Sequence, residues 1–252
     1  MQVTWQMLFI VCPLVFLAAT VDAIGGGGGL ISLPAYLLTG LPPAIASGSN
    51  KMSASVGTLI ATGRFLKSGR LLVKPALCAA AGALPGAWLG AELLKRTDPA
   101  VVRIFLIVAI PLMALVLIFK KDAPGEARPI TARRLGGCFA LGLGCGFYDG
   151  FFGPGTGTLL IMGLTWLIGM DMVTASGSAK LINLASNVSA LISLISGGQV
   201  LFALALPAAA FSLAGGYLGS WLAIRRGAGF IRRIMLVVLA ILILRLAAAW
   251  FA

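Results

Sequence analysis

Ala46-Ser47-Gly48-Ser49-Asn50-Lys51 and Ala175-Ser176-Gly177-Ser178-Ala179-Lys180 are one hexapeptide written twice, 129 positions apart, with a single change at its fifth place. Upstream of each stands an aspartate and then a glycine cluster: Asp22 before Gly25 to Gly29, and Asp149 before Gly153-Pro154-Gly155-Thr156-Gly157. Asp22 and Asp149 are 127 apart, and Gly90 and Gly219, beyond the lysines, are again 129 apart. The register therefore holds over most of both halves. The chain is a duplicated unit, and each copy sets a lysine inside a segment with few other charges.

The background of that repeat is apolar. Of the 252 residues, 60% are hydrophobic and 10% charged, with a mean hydropathy of +1.04. That leaves too little polar surface to cover a water-soluble globule, so the chain is expected to be an integral membrane protein. A crossing helix needs about 20 apolar residues, so the length accommodates roughly eight to ten segments with short connections and no separate soluble domain. The formal charge of +12 sits in short loops between apolar runs, where Lys and Arg set orientation. No basic stripe interleaved with aromatics appears, and no nucleic-acid partner is expected. Cys12, Cys78, Cys138 and Cys145 lie inside apolar runs without C-x-x-C spacing and read as small packing residues. Histidine is absent, which removes the usual zinc and haem ligand and the neutral-pH proton shuttle; neither metal nor cofactor is expected. The stretch from Met1 to Ala23 lacks a basic residue before its apolar core and is the counterpart of 135–150, so it is read as a membrane segment rather than a secretory signal.

Hydropathy divides the first half into apolar segments at about 5–24, 30–45, 46–66, 72–94 and 101–119, and the second into 135–152, 156–169, 173–196, 200–223 and 231–251. The expected fold is all-α: a first membrane repeat over 1–120, a basic linker over 121–134 and a second repeat over 135–252. Each repeat has about five segments, and the second of each is short and interrupted by Gly or Pro. Such segments are expected to be broken or re-entrant and shielded by protein, because unpaired backbone is not tolerated against lipid. The loop after the third segment carries Arg64, Lys67, Arg70 and Lys74, whereas its counterpart Ser196-Gly197-Gly198-Gln199 carries no charge. The positive-inside rule places the first in the cytoplasm and the second outside. Lys120, Lys121, Arg128, Arg133 and Arg134, and then Arg225, Arg226, Arg232 and Arg233, also read as cytoplasmic. Equivalent loops thus face opposite sides, so the repeats are expected to be inverted with both termini external. Lys95, Arg96 and Arg103 then lie outside, offset only in part by Glu92 and Asp98.

A lysine deep in a bilayer costs about 2.5–3.5 kcal/mol on insertion scales and needs a partner or a wet cavity. Lys51 is expected about five residues into its segment and Lys180 about seven. Snorkelling, or a permanent pair with Asp22 or Asp149, is the structural alternative to a binding role. Around Lys180 the polar residues Ser176, Asn183 and Asn187 share one helical face. In the first half Ser47, Lys51, Thr58 and Thr62 do so, with Asn50 beside them. A face of ammonium, hydroxyl and amide without carboxylate suits an anion, although Ser, Thr and Asn also glue membrane helices together. Glycine turns at Gly27, Gly28, Gly155 and Gly157 would bring backbone N–H groups close to such a ligand, or simply allow a tight hairpin. Asp22 and Asp149 are candidates for ion-pair or coupling roles. Gly86-x-x-x-Gly90 and Gly215-x-x-x-Gly219 read as helix packing, and Arg245 as snorkelling from the last helix.

The paired Ser-Gly-Ser-x-Lys motifs, the glycine clusters and Gly146-Phe147-Tyr148-Asp149-Gly150-Phe151-Phe152-Gly153-Pro154-Gly155 resemble the TauE/SafE sulfite exporter family over essentially the whole chain. The resemblance implies a duplicated transporter of sulfur-containing anions such as sulfite, thiosulfate or sulfonates in a bacterial-type inner membrane. The site residues expected to hold the anion are Lys51, Lys180, Ser47, Asn50, Ser176, Asn183, Asn187 and the four turn glycines. With no ATP-binding motif in the chain, the energy is expected from an ion or substrate gradient, a proton or sodium being the candidate coupling ion, or from an unseen partner. An anion channel and a non-catalytic subunit of a larger membrane complex are the alternatives. An enzyme is not expected, because no nucleophile with a base and no metal cluster is in evidence.

Overall fold

The computed structural model describes residues 3–102 and 128–251, with side chains after Gly227 described only at 229, 230 and 233. Eight helices are named here: α1 (Trp5–Gly25), α2 (Gly29–Leu37), α3 (Pro43–Lys67), α4 (Val73–Arg96), α5 (Ala132–Phe151), α6 (Thr156–Ile168), α7 (Met172–Ser196) and α8 (Phe202–Phe251). Among the described residues there is no strand. Among the described residues four stretches are long and apolar enough to cross a membrane: Trp5–Gly25, Val73–Arg96, Met172–Ser196 and Phe202–Gly227. The expected fifth segment of the first half beyond Val102, Arg103 included, residues 121–127 of the linker and the side chain of Arg245 fall outside the described residues.

Local chemistry sets the helix ends. Thr4 and Thr131 cap α1 and α5, their hydroxyls accepting from the N–H of Met7 and Arg134, both at 3.4 Å. Pro43 stands in the first turn of α3, where its missing N–H is no loss. At the start of α7 the Asp171 carboxylate accepts from the N–H groups of Val173 (3.0 Å) and Thr174 (3.1 Å). α1 stops where Gly26 takes φ 78°, and α6 starts from Gly155 at φ 86°, values that only glycine adopts without strain. α8 is two helical stretches joined at Gly227 (φ 73°).

Several boundaries differ from the sequence expectation. α2 ends at Leu37 rather than near 45, and α3 begins at Pro43 rather than 46. Pro42-Pro43 opens the third helix instead of breaking the second. Lys51 and Lys180 are therefore both the ninth residue of a 25-residue helix, about 12 Å from its start at 1.5 Å per residue. Both lie deeper than their sequence neighbourhoods suggested.

The duplication is visible in the packing. α3 and α7 start 129 residues apart, as do α4 and α8, whereas α1 and α5, and α2 and α6, start 127 apart. The two-residue slip lies in the stretch where α6 has 13 residues and α2 has nine. α4 packs on α5 with Gly86 and Gly90 against the carbonyls of Leu143 and Phe147, while Gly215 and Gly219 of α8 sit against those of Phe16 and Thr20 in α1. These are the same contacts with the halves exchanged, and the absence of a side chain is what permits so close an approach. α3 and α7 run antiparallel. Gly48 meets the carbonyl of Gln199 just past α7, and Gly177 meets that of Arg70 just past α3. The Ser49 hydroxyl accepts from Leu201 N–H at 3.0 Å, and that of Ser178 from Leu72 N–H at 3.1 Å.

This arrangement gathers the basic loops at one end of the bundle. There Leu71, Val173 and Ala223 share an apolar cluster, Arg64 stacks 4.0 Å over the Tyr217 ring, and Arg128 bonds to the carbonyls of Trp166 and Ile168. At the other end the cationic groups of α4 are neutralised locally: Glu92 pairs with Lys95 at 2.6 Å and with Arg96 at 3.9 Å.

Candidate functional site

The lysine of each half pairs with the aspartate of the other. Lys51 Nζ in α3 lies 2.7 Å from Asp149 Oδ2 in α5 and donates to Asn187 Oδ1 in α7 at 2.9 Å. The Ser186 hydroxyl donates to the same carboxylate oxygen at 2.6 Å. Lys180 Nζ in α7 lies 2.7 Å from Asp22 Oδ2 at the end of α1 and also donates to the Asp22 main-chain carbonyl. Asp22 Oδ1 accepts the Gly28 N–H at 3.3 Å. Lys51 is 2% and Lys180 0% exposed, so neither snorkels; each survives burial because an opposite charge meets it. The lysine faces seemed free of carboxylates because the carboxylate arrives from the other repeat.

The glycine clusters form two elbows that cross at the centre. A Cβ on Gly26 would overlap the backbone of Gly157 and Thr158, and one on Gly28 would overlap the Asp22 side chain and the Ala18 carbonyl. Side chains bind the elbows together: Thr158 donates to the Gly25 carbonyl at 3.2 Å and Tyr148 to that of Pro154 at 2.7 Å. A Cβ on Gly153 would stand 3.3 Å from Asp149 Oδ1 and 3.4 Å from Lys51 Nζ. The elbow thus leaves room for the ion pair beside it.

A cavity of about 50 Å³ opens at this crossing, room for a few heavy atoms rather than a drug-sized ligand. Of the residues singled out in the sequence, Asp22, Gly27, Gly28, Asn50, Lys51, Asp149, Gly155, Gly157, Asn183 and Asn187 line it. Ser47, Ser176 and Lys180 do not. Ser47 is buried within the bundle, and Ser176 donates to the Ile24 carbonyl at 3.0 Å, tying α7 to the end of α1. Sequence reasoning passed over Ser53 and Ser212, which the structure adds to the wall, and Ser186 on Asp149; Thr58, placed on the lysine face in the sequence, does line the cavity. Ser186 lies one turn beyond Asn183, so helical spacing alone could have found it; Ser212 matches Ala83 in the repeat and left no signal.

The wall is rich in hydrogen-bond capacity not used within the protein. Asn50 and Asn183 are 8% and 5% exposed, and the Oδ1 of each has no partner. A buried polar atom is ordinarily satisfied, and these two acceptor oxygens beside the cavity are exceptions. Among the described residues no group of three or more His, Cys, Asp or Glu is placed to hold a metal ion. Two compensated ion pairs, unused amides and backbone at close quarters make a polar chamber in an apolar bundle.

Comparisons with known proteins agree on one family. The family model for the sulfite exporter TauE/SafE matches residues 11–246. A probable membrane transporter protein of Haemophilus influenzae is 32% identical over 237 residues, covering 94% of this chain and 93% of that protein. The probable membrane transporter protein YfcA of Escherichia coli K12 is 32% identical over 249 residues, covering 95% and 92%. The probable membrane transporter protein ORF9 of a Sinorhizobium species is 32% identical over 257 residues, covering 98% and 95%. No solved structure gives a significant match. With the match running through both glycine elbows, both lysines and both aspartates, this chain belongs to the sulfite exporter TauE/SafE family.

Proposed function

We propose that this protein is a secondary transporter of small sulfur-containing anions of the sulfite, thiosulfate or organosulfonate type, working by alternating access in a bacterial-type inner membrane. The observation that carries the reading is Lys51: a buried ammonium on the wall of a small cavity, with the amides of Asn50 and Asn183, each carrying an Nδ2 donor, beside it. Charge-assisted and amide hydrogen bonds to an oxyanion are the interactions such a wall offers. The relatives named as probable membrane transporters support transport, and the family's sulfite exporter description supports the substrate class. The two halves serve as inverted repeats, with the basic end cytoplasmic and both termini external. Support comes from the antiparallel α3 and α7, the exchanged α4–α5 and α1–α8 contacts and the gathering of arginines at one end.

Counterflow in proteoliposomes across sulfite, thiosulfate, methanesulfonate, sulfate and acetate tests the reading. Saturable exchange that favours sulfur oxyanions is the expected result. Flux that does not saturate and carries current without exchange would mark an anion channel instead. Purified protein that moves none of these anions would point to a subunit that works only within a larger complex.

A further inference from the structure

The two ion pairs are repeats in sequence but not in circumstance. Lys180 is fully buried, does not line the cavity and is held on both the carboxylate and the main-chain carbonyl of Asp22, whose other oxygen takes the Gly28 N–H. An anion in the cavity cannot reach it. Lys51 faces the cavity, and of its three N–H groups the protein engages two, one on Asp149 and one on Asn187. The third is available to a ligand. Yet Lys51 is already neutralised by Asp149, so an anion that settled on it would leave an uncompensated negative charge in the middle of the bundle. Leaving a buried charge without its partner is strongly unfavourable and would cancel most of what the ammonium offers. The amides of Asn50 and Asn183 can offer an Nδ2 donor but no charge.

Asp149 is also the carboxylate placed to solve this. The groups facing it are Lys51 from α3, Asp22 from α1 across the cavity, and Cys145 and Tyr148 from its own helix. From α7 it meets the uncharged Ser186, with Asn183 and Asn187 on the same wall, and from α4 only small apolar residues such as Ala87 against the neighbouring Gly150. Among the described residues Lys51 is thus its one cationic neighbour, and Asp149 itself lines the cavity through which a proton would arrive.

Resting on the anion reading above, we propose that Asp149 takes up one proton for each anion that Lys51 binds, so that the protein moves anion and proton together. The step balances in charge: the anion and a proton enter, the Asp149 carboxylate becomes a neutral acid, and Lys51 exchanges a carboxylate partner for the substrate. The Lys180–Asp22 pair stays closed and holds the α1 elbow to α7 while this occurs.

Methanesulfonate is a suitable probe because it is a monoanion that carries no proton of its own near neutral pH. Added to purified full-length protein in weakly buffered detergent solution, it is expected to draw one proton from solution per anion bound. The apparent Kd should weaken up to tenfold per pH unit on the alkaline side. In Asp149→Asn both the proton uptake and the pH dependence of affinity should vanish, while Glu92→Gln, far from the cavity, should keep them. Anion binding with no proton uptake and a Kd flat in pH in the unmodified protein would overturn the proposal, whether or not the Asn variant folds. So would uptake that disappears in Asp22→Asn but survives in Asp149→Asn, or accumulation in proteoliposomes that follows sodium rather than pH. No saturable binding of any tested anion would overturn the anion reading first and this inference with it.

Discussion

At the scale of single residues, the same lysine in the same register has two different surroundings, and the difference is testable. Lys51→Ala leaves Asp149 beside the cavity, where water can solvate it, and removes the ammonium that faces the ligand. Anion affinity should fall about tenfold to a hundredfold, the equivalent of roughly 1.5–3 kcal/mol for a charge-assisted hydrogen bond, with the fold retained. Lys180→Ala instead removes a group with no exposure that ties the end of α1 to α7, so it should lower thermal stability more than Lys51→Ala does. Binding titrations and thermal unfolding in detergent on both variants check the pair. Equal losses of stability with unchanged affinity would deny Lys51 its place in the site. The lysines, their depth in apolar segments and their candidate partners were legible in the sequence, because a buried charge announces itself. Which aspartate meets which lysine was not, since pairing across the repeats depends on the crossing of the elbows and on no local spacing. Ser47 and Ser176 shared a helical face with the lysines in sequence but pack inside the bundle, because a helix presents one face to several neighbours along its length.

At the scale of elements, glycines decide how closely helices approach, and α5 offers a controlled contrast. A Cβ on Gly146 would collide with the Ala83 carbonyl of α4, whereas one on Gly144 would meet nothing within 4 Å. Gly146→Ala should therefore destabilise by about 1–3 kcal/mol through forced separation of α4 and α5. Gly144→Ala should be neutral or stabilising by about 0.5–1 kcal/mol, because alanine loses less backbone freedom in a helix. Unfolding in detergent compares them directly, and matching effects would mean that the close α4–α5 contact is not what the glycines serve. Asp171 gives a second case. Burial pushes its carboxyl up, but the Thr174 hydroxyl, the Thr174 and Val173 N–H groups and the nearby Arg70 more than offset that and hold it below the usual carboxylate range. A lowered acid contributes stability that is complete above its unfolded value of about 4 and lost as pH falls through its folded value. Asp171→Ala should cost about 1 kcal/mol near neutral pH, and the gap from the unmodified protein should close in strong acid. A gap that widens on acidification would contradict the cap. Helix existence was legible from apolar runs, and the small-xxx-small stripes were recognised as packing. The boundaries around Pro42-Pro43 were not, because hydropathy ignores the backbone restriction that lets proline open a helix and not continue one.

At the scale of the whole molecule, sidedness and motion follow from the exchange of halves. A tag at Lys67 should report the cytoplasm and one at Gly198 the exterior, since Lys67 belongs to the arginine-rich end and Gly198 to the opposite one; both on one side would remove the inverted arrangement. Motion is harder to read from one conformation, but the repeat supplies a template. The cavity wall is drawn mostly from the first half: Ala18, Asp22, Gly57, Thr58 and Ala61, with Ser212. Of their repeat equivalents Cys145, Asp149, Ser186, Asn187, Ala190 and Ala83, Asp149 and Asn187 line the cavity as well, whereas Cys145, Ser186, Ala190 and Ala83 stand outside it, a wall closed where its counterpart is open. If transport exchanges the conformations of the two repeats, the closed wall opens toward the other end and Cys145 comes to occupy the position that Ala18 holds now. In a protein whose Cys12, Cys78 and Cys138 are replaced by alanine, a membrane-impermeant thiol reagent applied from the external side should label Cys145 during turnover. Labelling should be faster when anion exchange is under way than when no anion is present. Reaction of Cys145 from the cytoplasmic side alone, or none at all while exchange proceeds, would show that access changes by some route other than the exchange of repeats.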